Sequence, residues 1–267
     1  MSEILSRVGH GGGGAVEEPL DARELHVVKA YLPYDRVARL HVRRVKEALG
    51  RLAAFGLAPI GEVEIVPLVE REWLEAWREH SRPLVVGKFL IKPTWIPAPA
   101  EDRLVVELDP GMAFGTGLHP TTQQMLLAMS SLELAGRSVL DVGTGSGILA
   151  LAAHAAGATR VVGVDVDPVA VRTARENVRG RGIEILDGTA ATVAGEFDIV
   201  LANIIARVIA ESALELRART RAGGALVVAG VIAEAEAAAA SALERAGFRA
   251  RSRQVQGDWV SLILRSP

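Results

Sequence analysis

The sequence predicts an α/β protein with a doubly wound, seven-stranded sheet whose last strand is antiparallel, preceded by a small α+β domain. From residue 101 onward, short strand-like segments alternate with helical ones, the order of a parallel sheet covered by helices on both faces. The strand-like segments are apolar almost throughout, as burial on both faces requires. The final segment, 248–266, offers two strands around Gly257 and Asp258 with no room for a helix, which predicts a hairpin.

The composition sets the broad class. The chain has 267 residues, of which 49% are hydrophobic and 23% charged, which fits one large globular domain and a small one. It has no cysteine, which excludes disulfides, thiolate metal sites and a cysteine nucleophile, and we predict no metal site. No apolar run reaches the ~18 residues of a membrane span, and the start lacks a signal peptide. We expect a cytoplasmic monomer that does not contact a membrane, and the net charge of −2 gives no overall field that favours nucleic acid.

The first 67 residues are predicted to form a small α+β domain that recognises the substrate. Strands are expected within ELHVVKAYL (24–32) and EVEIVPL (62–68). Between them, residues 36–51 have the apolar spacing of a helix with one buried face, and their arginines fall on the other face. A solvated helix surface is the favoured interpretation of that basic face.

Residues 68–100 are predicted to connect the two domains. The segment EREWLEAWREH (70–80) reads as a helix that places Trp73 and Trp77 on one face, where they are expected to pack between domains. Prolines then separate short strand-like pieces and rule out a long helix.

Residues 101–267 are predicted to hold the sheet and the helices that cover it. The strands are expected at RSVLDV (137–142), RVVGVDV (160–166), IEILDG (183–188), FDIVLAN (197–203), GALVVAGVI (224–232) and twice within 248–266. One helix is expected from Ile148 to Ala156 and another from Pro168, where proline suits the first turn.

A glycine-rich turn follows the first of these strands. Gly143, Gly145 and Gly147 alternate with Thr144 and Ser146, so a ligand can approach backbone that no side chain blocks. The next strand ends at Asp165, about twenty residues further on, where a carboxylate can accept both hydroxyls of a ribose. The turn and the acid together predict a nucleoside ligand.

The spacing of the glycines favours one nucleoside over another. Dinucleotide sites use G-x-G-x-x-G, whereas this loop is G-x-G-x-G, and S-adenosylmethionine has no phosphate to bind. With VLDVG before the loop and a hairpin at the end, the region resembles the class I methyltransferase fold. The resemblance implies that Gly143 and Gly145 lie beneath the methionine part of S-adenosylmethionine and that Asp165 holds its ribose. We interpret Asp141 as structural, and leave Asp187 open between an adenine contact and a loop cap.

The stretch after the fourth strand, LANIIARV (201–208), bears on the acceptor. Many amino-directed methyltransferases have Asn-Pro-Pro-Tyr or Asp-Pro-Pro-Tyr here to hold a planar amide or base. This chain has Asn203 but neither proline nor the aromatic clamp, which argues for a more flexible acceptor such as an aliphatic amine. An N-cap of the following helix is the alternative role for Asn203.

Four segments in order make the resemblance specific. DPGMAFGTGLHPTT (109–122), LDVGTGSGILALAA (140–153), GVDVDP (163–168) and LANI (201–204) resemble the PrmA family, which methylates the eleventh protein of the large ribosomal subunit. EREWLEAWREH and KPTW (92–95) resemble its interdomain segment. The resemblance implies a bacterial enzyme that trimethylates lysine ε-amines of that ribosomal protein. The terminal α-amine of the same protein is a further acceptor that it implies.

The same resemblance carries over the site residues. It implies cofactor contacts from Thr122, Gly143, Asp165 and Asn203, with Phe114 of the AFGTG segment as a further contact. It also implies a ferredoxin-like N-terminal domain whose first strand this chain lacks, so we expect that domain to be truncated. The two glycine-rich stretches are then expected to hold one ligand from two sides.

No residue is assigned as a catalytic base. His119 has suitable chemistry, but in Leu-His-Pro it is expected to order the loop. The alternatives are a methyltransferase with another amine acceptor, an NAD-dependent oxidoreductase, which the glycine spacing disfavours, and a non-catalytic nucleoside-binding module.

Overall fold

The computed structural model of the chain forms two compact units, residues 1–73 and 74–267. The structure describes residues 16–19, 26–29, 42–43, 45–47, 49, 64, 82–98, 102–109 and 117–267. No helix in this described part of the chain is long and apolar enough to cross a membrane.

The described part of the first unit contains an antiparallel strand pair and helical residues. β1 (Val16–Pro19) pairs with β2 (His26–Lys29), and β2 lies within the strand predicted at 24–32. Of the helical residues between 42 and 49, Val45 and Leu49 are buried, as the predicted apolar face requires. The strand predicted at 62–68 and the helix predicted at 70–80, with Trp73 and Trp77, lie outside the described residues.

The larger unit is built on the predicted seven-stranded sheet, whose strands are β6 (Ser138–Val142), β7 (Arg160–Asp165), β8 (Glu184–Asp187), β9 (Phe197–Asn203), β10 (Thr220–Ile232), β11 (Arg249–Gln256) and β12 (Trp259–Arg265). Their order in the sheet is β11-β12-β10-β9-β6-β7-β8. β12 runs antiparallel to both of its neighbours, β10 and β11, while the other neighbouring strands are parallel. The predicted fold class, including the antiparallel last strand, is confirmed.

Helices cover both faces of this sheet. They are α1 (Pro120–Ser130), α2 (Ile148–Ala155), α3 (Pro168–Asn177), α4 (Ala206–Glu211), α5 (Ala213–Arg219) and α6 (Glu236–Arg245). Alternate residues of the central strands point to opposite faces: Val139 packs with α1 to α3, and Leu140 packs with α4 to α6. Both faces are therefore buried, which explains why the strands are apolar almost throughout.

A second, three-stranded sheet lies beside α2 and was not predicted. It consists of β3 (Leu84–Val86), β4 (Phe89–Lys92) and β5 (Leu104–Glu107), with β4 in the middle. Phe89 and Val106 join the core beneath α2. The buried Lys92 ammonium lies 2.8 Å from Glu107, which also pairs with Arg181 at 3.0 Å. Part of the segment predicted as a connector thus belongs to the larger unit, while the predicted domain limits stay a prediction.

The sheet order creates a crevice between β6 and β9. From β6 the chain continues through β7 to β8 in one direction, whereas β9, β10 and β12 extend in the other. In open sheets of this kind, ligands bind outside the carboxyl ends of the strands where the order reverses. Gly143 directly follows β6 and Asn203 ends β9, so two predicted site residues flank this crevice.

Candidate active site

The glycine-rich loop turns sharply at the end of β6. Gly143 has a φ of 72°, a left-handed conformation that favours glycine. A Cβ placed there would lie 2.4 Å from the Ile204 side chain, so the residue after Asn203 leaves no room for one. The Val164 carbonyl of β7 accepts from the N–H groups of Gly143 at 2.8 Å and Thr144 at 3.1 Å. The loop is therefore fixed by strands on either side.

Asp165 connects this loop to the end of β7. Its Oδ2 accepts the Gly145 N–H at 2.9 Å, and its Oδ1 accepts the Asp167 N–H at 3.0 Å. Each carboxylate oxygen keeps a further lone pair, so both can accept another hydrogen bond. Gly145 and Asp165, two of the predicted site residues, are thus in direct contact at the crevice.

Asp141 is a buried acid directly beneath the loop. Its Oδ2 accepts the Thr144 hydroxyl at 2.7 Å. Burial raises the pKa of Asp141 to about 7, against the hydrogen bond from Thr144, and the negative charge of Asp165 adds to the rise. The bond to Thr144 is consistent with its predicted structural role.

Thr122 and Asn203 meet across the crevice although 81 positions separate them. Thr122 is buried in the first turn of α1, and its Oγ1 accepts from Asn203 Nδ2 at 3.4 Å. The helix after β9 begins at Ala206 with Ile205 as its N-cap. The alternative that Asn203 caps this helix is therefore wrong, because the backbone runs through two more residues before the helix starts.

His119 caps the N-terminus of α1. Its Nδ1 accepts the Thr121 N–H at 3.3 Å and lies 2.7 Å from the Thr121 hydroxyl. Because a backbone N–H can only donate, we assign the ring proton of the neutral histidine to Nε2. Burial lowers the pKa of His119 and so favours this neutral form. The predicted ordering role is thus realised as a helix cap.

Trp259, which the sequence reading missed, lies next to His119. The two rings are 5.1 Å apart at their centroids and meet edge to face. The buried Gln124 of α1 donates through Nε2 to the Trp259 carbonyl at 2.9 Å, across 135 positions, while its Oε1 has no partner among the described residues. The alternation of β12 indicates a strand, but nothing local to residue 259 indicates what its ring contacts.

Two further residues of the sequence analysis have different outcomes. Phe114 lies outside the described residues. Asp187 ends β8 with an exposed side chain and pairs in register with Asp165, which leaves both of its suggested roles open. The described residues contain no group of three or more His, Asp or Glu able to hold a metal ion.

Comparisons with known proteins agree on one family. The family model for ribosomal protein L11 methyltransferase (PrmA) matches residues 13–267. A ribosomal protein L11 methyltransferase of Herpetosiphon aurantiacus is 35% identical over a 305-residue alignment, covering 100% of this chain and 94% of that protein. The Geobacter sulfurreducens protein of the same name is 42% identical over 246 residues, covering 90% of this chain and 81% of that one.

A solved structure agrees with these sequence matches. It is the crystal structure of a ribosomal protein L11 methylase from Lactobacillus delbrueckii subsp. bulgaricus, which is 31% identical with a TM-score of 0.62. The similarity covers 67% of this chain and 96% of that one.

Proposed function

The chain belongs to the ribosomal protein L11 methyltransferase (PrmA) family, and on that premise we propose that it methylates lysine ε-amines of ribosomal protein L11. The methyl donor is S-adenosylmethionine, and the N-terminal α-amine of L11 is a further acceptor. The chain is an S-adenosylmethionine-dependent methyltransferase, which removes the oxidoreductase and non-catalytic alternatives.

The residues of the crevice fit this donor. The left-handed backbone at Gly143 turns the loop at the carboxyl end of β6, and Asp165 keeps lone pairs for two hydroxyls. Val166, directly after Asp165, is 66% exposed and offers an apolar surface for an adenine. We therefore assign the donor to Gly143, Gly145 and Asp165.

Thr122 and Asn203 are assigned to the place where donor and acceptor meet. Nδ2 of Asn203 faces the Thr122 hydroxyl, which leaves its Oδ1 able to accept an N–H from the incoming amine. That hydrogen bond orients the lone pair of the amine and does not require a planar acceptor. We keep Phe114 as a further donor contact on the strength of the motif alone.

The chemistry requires a neutral amine and little else. When bound, S-adenosylmethionine would supply a methyl group carried on a positively charged sulfur. The leaving group is then a neutral thioether, so no acid is needed to protonate it. A free lysine amine has a pKa of about 10.4, and a desolvated pocket without cations lowers it. His119 cannot serve as the base through Nδ1, which caps α1. The amine proton therefore passes to water, and orientation provides most of the acceleration.

The observation that carries this proposal is that two pairs of predicted site residues are in contact at the ends of neighbouring strands in a member of this family. Asp165 contacts Gly145 on the β7 side, and Asn203 contacts Thr122 on the β9 side. We propose further that residues 1–67 recognise L11, and that the enzyme acts as a cytoplasmic monomer.

Mass spectrometry tests the function directly. The protein is incubated with S-adenosylmethionine and purified L11, and we expect mass increments of about 14 daltons that map to lysines or the N-terminus. Binding of S-adenosylhomocysteine without any methylation of L11 would instead support the alternative of another amine acceptor. A thermal shift with S-adenosylhomocysteine but not NADH is the matching control for the donor.

A further inference from the structure

The last turn of α3 lies against the glycine-rich loop. Asn177, the final residue of α3, donates from its side-chain Nδ2 to the Ser146 carbonyl at 2.9 Å. A Cβ added at Gly147 would lie 3.4 Å from the Val178 side chain and 3.5 Å from that of Ala174, which is an ordinary packing distance. The end of the helix therefore packs directly on the loop and bonds to it through one side chain.

The hydrogen bond from Asn177 complements the contacts that come from β7. Those contacts hold N–H groups of the loop, at residues 143–145. Asn177 instead holds a carbonyl, that of the peptide between Ser146 and Gly147. The N–H of the same peptide donates to the Thr144 carbonyl at 2.8 Å. Because a peptide unit is planar, these two bonds fix its orientation where the loop enters α2.

The end of α3 is itself held by Arg181. Its guanidinium NH1 donates to the Asn177 carbonyl at 2.9 Å, and its backbone N–H donates to the Val178 carbonyl at 3.0 Å. A positive charge is favourable there, because the last carbonyls carry the negative end of the helix dipole. Gly180 and Gly182 on either side have positive φ values, which lets the chain turn back onto the helix end.

Arg181 also connects the helix end to the three-stranded sheet. Its NH2 lies 3.0 Å from Oε2 of Glu107, the last residue of β5. Oε1 of the same carboxylate lies 2.8 Å from the ammonium of Lys92, which ends β4 and is 3% exposed. A buried ammonium that loses its partner is strongly destabilising. Glu107 is therefore fixed by Lys92 and offers Arg181 a partner in a fixed position.

We propose that Asn177 is a positioning residue for the donor, and that Glu107 and Arg181 hold it in place from the three-stranded sheet. The inference rests on the proposed function, which assigns the donor to the glycine-rich loop. Asn177 acts on the donor through the backbone of the loop rather than by contact. Its loss should therefore weaken donor binding and leave the transfer step nearly unchanged, since the acceptor is assigned to the end of β9.

Two variants of Asn177 test this role. Asn177→Ala removes the side-chain donor, and we expect the dissociation constant for S-adenosylhomocysteine to rise about tenfold. The KM for S-adenosylmethionine should rise with it, while kcat at saturating donor stays within about twofold of wild type. Asn177→Asp keeps the shape of the side chain, but its carboxylate can only accept. We expect its loss of affinity to be about tenfold or more.

Arg175→Ala is the matched control. Arg175 lies on the same helix and also donates to a backbone carbonyl, that of Ile185 in β8, at 3.1 Å. Each change removes a side-chain bond made by α3, so both can lower the free energy of unfolding. Only the change at Asn177 should alter the affinity for S-adenosylhomocysteine. If both variants bind it as tightly as wild type does, Asn177 is merely structural and the inference is overturned.

Arg181→Ala tests the connection to the three-stranded sheet. Because Arg181 is 30% exposed, solvent weakens its ion pair, and we expect the affinity for S-adenosylhomocysteine to fall by only about threefold. In the Asn177→Ala background the same change should have no further effect, because Arg181 acts on the loop through Asn177. An equal loss in both backgrounds would show that Arg181 acts independently of Asn177, which would overturn the second half of the proposal.

The outcomes distinguish this inference from the proposed function. The binding measurements need no L11, so a chain that fails to methylate L11 would overturn the proposed function and leave them to decide the inference. If wild type methylates L11, and Asp165→Ala loses donor affinity while Asn177→Ala does not, the inference fails and the proposed function stands. Should neither Asn177 variant fold, Arg181→Ala decides, and an unchanged dissociation constant for S-adenosylhomocysteine would overturn the inference.

Discussion

The two sides of the crevice are built in different ways. On the β6–β7 side, residues 141–167 supply the glycine-rich loop, the buried Asp141 and the Asp165 carboxylate from one short stretch of chain. On the β10–β12 side, the first turn of α1, the end of β9, the end of β10 and the start of β12 must come together. The first side depends on main-chain donors and a local turn, and the second on side-chain contacts between distant segments. A local motif can therefore identify the first side, whereas the second side is defined only once the sheet has formed.

The largest effect should come from removing the acid of the local side. In Asp165→Ala we expect the affinity for S-adenosylhomocysteine to fall by about 100-fold, because hydrogen bonds to a charged group contribute about 1.5–3 kcal/mol each. Calorimetric titration measures this affinity, with Glu196→Ala as the control, since Glu196 is an exposed acid directly before β9, at the opposite end of that strand from Asn203. An unchanged dissociation constant would show that the ribose is held elsewhere.

A methyl group at Gly143 should disturb both sides together. Gly143→Ala places a Cβ at positive φ and against Ile204, next to Asn203, so we expect a loss of about 1–3 kcal/mol in the free energy of unfolding. Gly182→Ala is the control, because Gly182 has a φ of 68° but no atom within 4 Å of its added Cβ. Urea denaturation gives the free energy of unfolding of each variant, and the difference between the two losses is the cost of the contact with Ile204. Equal losses would mean that the two sides are independent at this point.

Removing one hydroxyl should affect the side built from distant segments. Thr122→Val keeps the shape of the side chain but leaves Asn203 Nδ2 without its partner, so we expect kcat to fall by about tenfold and the affinity for S-adenosylhomocysteine by severalfold. Steady-state rates and titration together measure the two changes. Thr173→Val, another buried threonine on α3, should change neither. Full activity in Thr122→Val would remove Thr122 from the site.

The smallest effect concerns the cap of α1. Because burial lowers the pKa of His119, the folded protein binds this proton less readily than the unfolded chain, whose histidine has a pKa of about 6.5. Its contribution to stability is present above about pH 6.5 and is lost as the pH falls through the folded pKa. His119→Asn retains a side chain that can cap the helix but cannot titrate in this range. We expect the difference in the free energy of unfolding between pH 8 and pH 5 to be smaller in this variant, by less than about 1 kcal/mol, as denaturation at the two pH values would measure. His154→Asn, at an exposed position of α2, is the control.

The sequence predicted the locally built β6–β7 side of the crevice better than the side built from distant segments. The seven strands, the antiparallel last strand and the contact region of Gly145 and Asp165 follow from local patterns: apolar runs, glycine spacing and one acid at a strand end. Strand-like pieces were expected among the prolines, but their pairing into a three-stranded sheet was missed, because strands of three or four residues are too short to show a period. The alternative that Asn203 caps a helix was wrong, because the backbone dihedrals after β9, which a sequence does not display, place the start of the helix at Ala206.

Trp259 shows the limit most clearly. A hairpin that returns from the edge of the sheet brings Trp259 to His119 and Gln124 of the first helix. No local signal in the sequence specifies that contact. The assignments of Asp165 and Thr122 are predictions that the variants above test, and the assignment of Phe114 stays a prediction.

The position of β12 has a consequence for the order in which the enzyme becomes competent during its synthesis. β12 is the last strand in the sequence, yet it lies between β10 and β11 rather than at the edge of the sheet. Domains generally fold as units. The glycine-rich loop and Asp165 leave the ribosome well before residue 259 is made, yet the sheet that fixes them is complete only when β12 has been inserted between β10 and β11. The contacts of Trp259 with His119 and Gln124 therefore form only after β12 has been synthesised, and the nascent enzyme becomes competent late.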